Sequence, residues 1–235
     1  YVAATLFPVD KIIGKIYPLF GALLILGSAA IAVALVVAGL AKPEILDDCA
    51  GFAEFKASQP LFPCLFVTIA CGIISGFHGT QSPIVARTMR HEREGLPTFY
   101  GMMILEGIIA MIWAASALAL YNVAPENLKL GGPVVLGNIA THFLGPWIGG
   151  VTVLAVVVLA VTSGDTALRS ARLSMAEMCR VNQVPIVKRI ATCLPLILIV
   201  AALLAWSNSS PKSFNNLWNY FAWGNQMIAS TGLMA

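Results

Sequence analysis

From Ile16 to Ala41 the chain carries no charged side chain, and only Tyr17 and Ser28 are polar. Lipid offers no water to backbone N–H and C=O groups, so an isolated segment can satisfy them only by folding into an α-helix. A hydrocarbon core takes about 20 residues of helix. This run therefore crosses a bilayer with some tilt. The same signal recurs along the chain. Spans are predicted near residues 16–41, 61–82, 99–121, 146–165, 190–206 and 214–235, with a short helix over 134–143 in an external loop. The predicted fold class is all-α, a polytopic transmembrane helix bundle of about six spans, read as one domain over residues 1–235. Only 11% of residues are charged. A soluble domain carries roughly 25%.

Charge distribution orients the bundle. Alternating connections put Lys11, Lys15, Arg87, Arg90, Arg93, Arg169, Arg172, Arg180, Lys188 and Arg189 on one side. Lys42, Lys56, Lys129 and Lys212 fall on the other, a split of 10 against 4. The positive-inside rule makes the first side cytoplasmic. The five cysteines, Cys49, Cys64, Cys71, Cys179 and Cys193, form no CxxC pair and read as reduced thiols. The chain starts at Tyr1 without a methionine and stops at Ala235 within an apolar stretch, as a piece of a longer protein would.

The segment from Ser75 to Pro83 places His78, Thr80, Gln81 and Ser82 at the end of an apolar run. Irregular polar sequence at membrane depth persists only inside protein or beside a wet cavity. One reading is a discontinuous transporter helix whose freed peptide groups bind a solute. The other is that the helix ends here and these residues cap it.

Three ionisable residues lie at membrane depth: His78, Glu106 and Asp165. At about 1.5 Å per residue, His78 and Asp165 stand roughly 25 and 28 Å from the outer side, and Glu106 roughly 10 Å from the inner side. All three fall in the inner half of the membrane, where a charge must be paired, neutralised or hydrated. A histidine near a carboxylate can titrate in the physiological range and couple proton movement to solute binding. For Glu106 a structural hydrogen bond to a neighbouring helix is the competing reading.

Asp165 and Arg169 have the i, i+4 spacing of a helical ion pair, with Arg172 one turn on. They read as a cytoplasmic gate latch or as a surface salt bridge at the helix end. For Arg172 the surface reading is preferred. Thr162, Ser163 and Thr166 could offer oxygens to a small cation, although membrane hydroxyls more often bond their own backbone or a neighbouring helix. In the last span Trp218 and Tyr220 read as interfacial anchors, while Asn225 and Gln226 lie deeper and need partners. Gly145 and Gly149 have the spacing of a close helix contact, a weak signal in apolar sequence. There is no phosphate-binding glycine loop, no HExxH and no GxSxG, so an enzyme or an ATP-driven pump has no support, and no cofactor or metal is expected. Nucleic-acid binding has no matching fold signal.

Several long segments run along the chain: KIYPLFGA (15–22), SGFHGTQSP (75–83), FYGMMILEGIIA (99–110) with IWAA (112–115), TSGDTALRSAR (162–172) and FNNLWNYFAWGNQ (214–226). Together, in this order, they resemble the carbon starvation protein A (CstA) family of bacterial and archaeal membrane proteins. The resemblance implies a secondary carrier of the prokaryotic inner membrane. It would take up peptides or pyruvate in carbon starvation, driven by a cation gradient, with protons ahead of Na+. Its partners would be the lipid bilayer, the small-molecule substrate and the rest of the same transporter chain. Kinship with the amino acid–polyamine–organocation superfamily is also implied, with its LeuT-like inverted repeat. The six spans would be core helices five to ten, and the first-repeat half of the binding site would lie elsewhere.

A membrane nutrient sensor or a structural subunit is the alternative function. A pure scaffold has little reason to keep His78, Gln81, Glu106 and Asp165 at one depth. A channel would show a repeated pore loop, and none is visible. The predicted solute and proton-coupling set is His78, Thr80, Gln81, Ser82, Glu106, Asp165 and Asn225, with Arg169 and Arg172 at the gate.

Overall fold

A computed structural model of the protein describes residues 10–46, 76–124, 126 and 132–234. These residues are almost wholly helical, with no strand among them. Helix α1 is Asp10–Ala41 and ends at Lys42-Pro43, where a 3-10 turn, Pro43–Leu46, follows. Helix α2 is Gly76–Thr88. A 3-10 turn at Glu92–Glu94 and a π-helical turn at Leu96–Gly101 lead into α3, Met102–Val123. The widened turn contains Pro97, which has no N–H to give to a regular ladder. Helix α4, Gly132–Met178, is broken at Gly145, and α5, Ile186–Ser207, and α6, Pro211–Met234, complete the chain.

Four helical stretches are long and apolar enough to cross a membrane: Tyr17–Ala41, Glu92–Val123, Gly132–Met178 and Ile186–Ser207. Of the six predicted spans, two are not among these. Residues 61–75 of the second lie outside the described residues. Helix α6 covers the sixth and is long enough, but Asn215, Asn216, Asn219, Asn225 and Gln226 make it too polar.

The structure also corrects the reading of the polar segment. From Gly76 onward it is regular α-helix, neither unwound nor ended, and it runs on to Thr88 with Pro83 inside. Pro83 cannot donate to the carbonyl four residues back, that of Gly79. The Ser82 hydroxyl sits 3.5 Å from that oxygen and donates to it instead.

The described residues belong to two compact units, one comprising 76–90 and 163–234 with Asp10, the other 11–46, 91–124, 126 and 132–162. In the second, Ile31, Leu120 and Ile139 form an apolar core, flanked by Ile112, Trp113 and Phe143. Trp113 Nε1 donates to the buried Ser28 Oγ at 3.1 Å, joining α3 to α1. Asn122 Nδ2 donates to the carbonyl of Ile45 at 2.9 Å and ties the turn after α1 to the end of α3. Gly145 has φ 75° and ψ 174°, a backbone state open to glycine alone without strain. It turns the chain back so that Gly149 lies against Ala140, where a Cβ would stand 2.5 Å from the carbonyl oxygen. Large apolar side chains such as Leu26, Val36, Trp147 and Leu154 stay exposed, as side chains that face lipid must.

Candidate functional site

The unit comprising 76–90 and 163–234 buries a different kind of residue. Its buried positions are Asp165, Ser170, Arg172, Ala176, Thr192, Cys193 and Asn225, and most of them are polar. Buried polar groups cost free energy unless bonded, so such an interior is kept for chemistry or for specificity and not for packing alone. This unit therefore holds the candidate site.

Helix α6 packs against both α2 and α5. A Cβ on Gly79 would sit 3.8 Å from Ile228, which brings the 78–82 turn beside the turn of α6 that carries buried Asn225. Arg87 Nη2 lies 3.7 Å from Glu177 Oε1, so α2 and α4 meet at their C-terminal ends. Measured back along each helix from that contact, His78 stands about 14 Å away and Asp165 about 18 Å. His78 and Gln81 are half-buried. The Gln81 amide nitrogen is enclosed with no hydrogen-bond partner among the described residues. Thr80 lies on the same helix, with its side chain outside the described ones.

Asp165 is 4% exposed, and its Oδ2 accepts from Arg169 Nη2 at 3.4 Å. The predicted i, i+4 pair is therefore present, and it is mostly enclosed. The other carboxylate oxygen, Oδ1, is buried with no hydrogen-bond partner among the described residues. Arg172 is not the surface salt bridge that its place at a helix end indicated. It is buried, and its Nη1 donates to the neutral Gln183 Oε1 at 3.2 Å. The correction has a simple cause: the chain reverses after α4 and lays the loop and the first turns of α5 over Arg172. Gln183 Nε2 donates to Thr192 Oγ1, and Arg189 Nη2 donates to the Gln183 carbonyl, each at 3.2 Å. Thr192 donates in turn to the Lys188 carbonyl at 2.9 Å. Gln183 and Thr192 carried no signal in the sequence, and Arg189 counted only toward the charge asymmetry, because their meeting with Arg172 depends on how the loop closes.

Two of the three hydroxyls read as possible cation ligands bond carbonyls of their own helix. Thr162 donates to the Leu159 carbonyl at 2.7 Å and Thr166 to that of Ser163 at 2.9 Å, while Ser163 is exposed. Among the described residues no three His, Cys, Asp or Glu side chains group in a way that would hold a metal. Glu106 is exposed and belongs to the other unit. Cys179 is free and exposed and Cys193 free and buried; Cys49, Cys64 and Cys71 lie outside the described residues.

Comparison with known proteins places these features. The chain is 45% identical over 144 residues to an uncharacterized membrane protein of Haemophilus influenzae, covering 55% of this chain and 38% of that protein. It is 32% identical over 89 residues to the peptide transporter CstA of Helicobacter pylori, covering 37% of this chain and 13% of the relative. Against the pyruvate/proton symporter BtsT of Escherichia coli it is 38% identical over 58 residues, 24% of this chain and 8% of the symporter. The chain thus spans only a part of the curated relatives it matches. No solved structure matches it. The family model for carbon starvation protein CstA matches residues 2–142, more than half of the sequence. With that match, and with four helices of membrane-spanning length and hydropathy, the chain belongs to the carbon starvation protein CstA family of membrane proteins.

Proposed function

We propose that the chain forms part of a secondary active transporter that takes up pyruvate or short peptides and couples that uptake to protons. Two relatives, a peptide transporter and a pyruvate/proton symporter, support the substrate classes. The observation that carries the reading is the enclosed Asp165–Arg169 pair with one carboxylate oxygen left over. Protonating Asp165 removes the charge that holds Arg169. The freed guanidinium then meets a substrate carboxylate through paired N–H donors. Losing the proton restores the internal pair and expels the anion, so solute and proton travel together. His78 serves as the group that passes the proton, under the usual histidine argument. Thr80, Gln81, Ser82 and Asn225 supply hydrogen bonds to the solute. Glu106 belongs to the same proposal as a second proton-binding acid.

Arg169 and Arg172 form the gate, with the Asp165 pair as its latch. Thr162, Ser163 and Thr166 are the oxygens that a Na+ ion would use if sodium replaced the proton. An inverted-repeat, LeuT-like core with six spans in this stretch completes the reading. The test is uptake of labelled pyruvate and of a labelled dipeptide by the full-length protein in vesicles, with and without a proton gradient. His78→Ala and Asp165→Asn should each abolish pH-dependent uptake while the protein remains in the membrane. Unchanged pH-dependent uptake in both would refute the coupling site.

A further inference from the structure

Where α4 ends and α5 begins, the chain forms an open cleft of about 560 Å3 lined by Arg180, Asn182, Lys188 and Thr192, among others. We propose that this cleft binds the phosphate group of an anionic phospholipid, holding the headgroup at the membrane surface. Four independent features of the structure converge on it.

The first is an excess of positive charge. Arg169, Arg172, Arg180, Lys188 and Arg189 lie within one helix end, its loop and the next helix start. The acids there, Asp165 and Glu177, face Arg169 and Arg87 respectively. Arg172 is 8% exposed, donates to the neutral amide of Gln183, and keeps its Nε without a partner among the described residues. Arg189 and Arg169 bring like charge close to it. An anion in the cleft relieves that repulsion, and Thr192 joins the cleft wall to the Arg172 network through Gln183.

The second is backbone strain at Arg180. Helix α4 closes with Val181 N donating to Ala176 O at 2.8 Å and Arg180 N to Glu177 O at 3.1 Å. These two bonds make a Schellman end, whose last residue is left-handed and most often glycine. Here it is arginine at φ 52°. A side chain kept in a strained backbone state points to a task for that side chain, and this one lines the cleft.

The third is the helix start. Helix α5 begins at Ile186 with no side-chain cap, so its first N–H groups add positive potential to the same wall. Asn182 Oδ1 accepts from Val184 N, which leaves its amide nitrogen as a donor for a ligand. The fourth is the apolar rim. Met178, Val184, Ile186 and Val187 are all well exposed beside these basic groups. A soluble phosphate has no use for such a rim, whereas acyl chains cover it while the headgroup meets the cations.

The experiment uses the full-length protein, delipidated and returned to vesicles of phosphatidylcholine alone or with phosphatidylglycerol, and measures retained lipid by mass spectrometry. Phosphatidylglycerol should be retained selectively, and less so at high salt. Lys188→Gln and Arg180→Gly should each weaken retention roughly 5-fold, the worth of one basic residue at an anionic surface. Arg180→Gly should also raise thermal stability in lipid-free detergent, because it relaxes the left-handed residue. Arg93→Gln, an exposed cation in the other unit, should change nothing. Equal retention of both lipids, full retention by both cleft variants, or an equal loss in Arg93→Gln would overturn the site. Inorganic phosphate that stabilises the protein in phosphatidylcholine alone as strongly as phosphatidylglycerol does would overturn the lipid assignment.

Discussion

Gly149 and Gly150 are neighbours on one helix, yet replacing each by alanine should move stability in opposite directions. A Cβ on Gly149 would stand 2.5 Å from the Ala140 carbonyl oxygen, 2.7 Å from its carbon and 2.9 Å from the Thr141 nitrogen. Real Cβ atoms essentially never come within 3.0 Å, so the two arms of α4 must part by at least half an ångström. The obstruction is backbone on both sides, and no side-chain rotation relieves it. Overpacking of this kind costs about 1–3 kcal/mol. The helix-propensity gain of alanine over glycine, about 1 kcal/mol, offsets only part of it. Gly150 has nothing within 4 Å of its ideal Cβ, so Gly150→Ala keeps the whole gain. The variants should therefore differ by about 1–3 kcal/mol in favour of Gly150→Ala. Thermal unfolding of the two purified proteins in the same detergent reads the difference. If Gly149→Ala proves as stable as Gly150→Ala, the close contact of the two arms of α4 is wrong.

Trp113→Phe removes the indole N–H that bonds the buried Ser28 and should cost about 1 kcal/mol; restoring the loss with a further Ser28→Ala change would show that the bond, not the ring, was responsible. Asp165→Asn leaves Arg169 without its carboxylate. Because Arg169 keeps 24% of its side-chain surface exposed, the cost should be about 2 kcal/mol, below that of a fully buried pair. Urea or thermal unfolding checks it, and an unchanged midpoint would mean that the pair contributes nothing to folding.

The apolar runs and the break at Gly145-Pro146 were legible because lipid enforces them one segment at a time. A helix in a bilayer must satisfy its own backbone, so length and hydropathy are enough to reveal α1, α3 and α5. The Asp165–Arg169 pair was legible for the same reason, since i, i+4 spacing acts within a single helix. For the polar segment from Ser75 to Pro83 two readings stayed open, an unwound helix and a helix end, and from Gly76 on it is neither. Composition alone does not show that one hydroxyl, that of Ser82, can take up the carbonyl orphaned by Pro83.

What the sequence by itself determined is thus local: an all-helical membrane chain, and which helices carry ionisable groups. Tertiary structure alone decided which of those groups are enclosed. Arg172 and Asn225 are buried, whereas Glu106 is exposed, although all three lie on helices. It also decided that Arg172 meets Gln183, eleven residues away across a loop. Burial depends on which neighbour covers a face, and that choice comes from contacts between segments that no periodicity within one segment records.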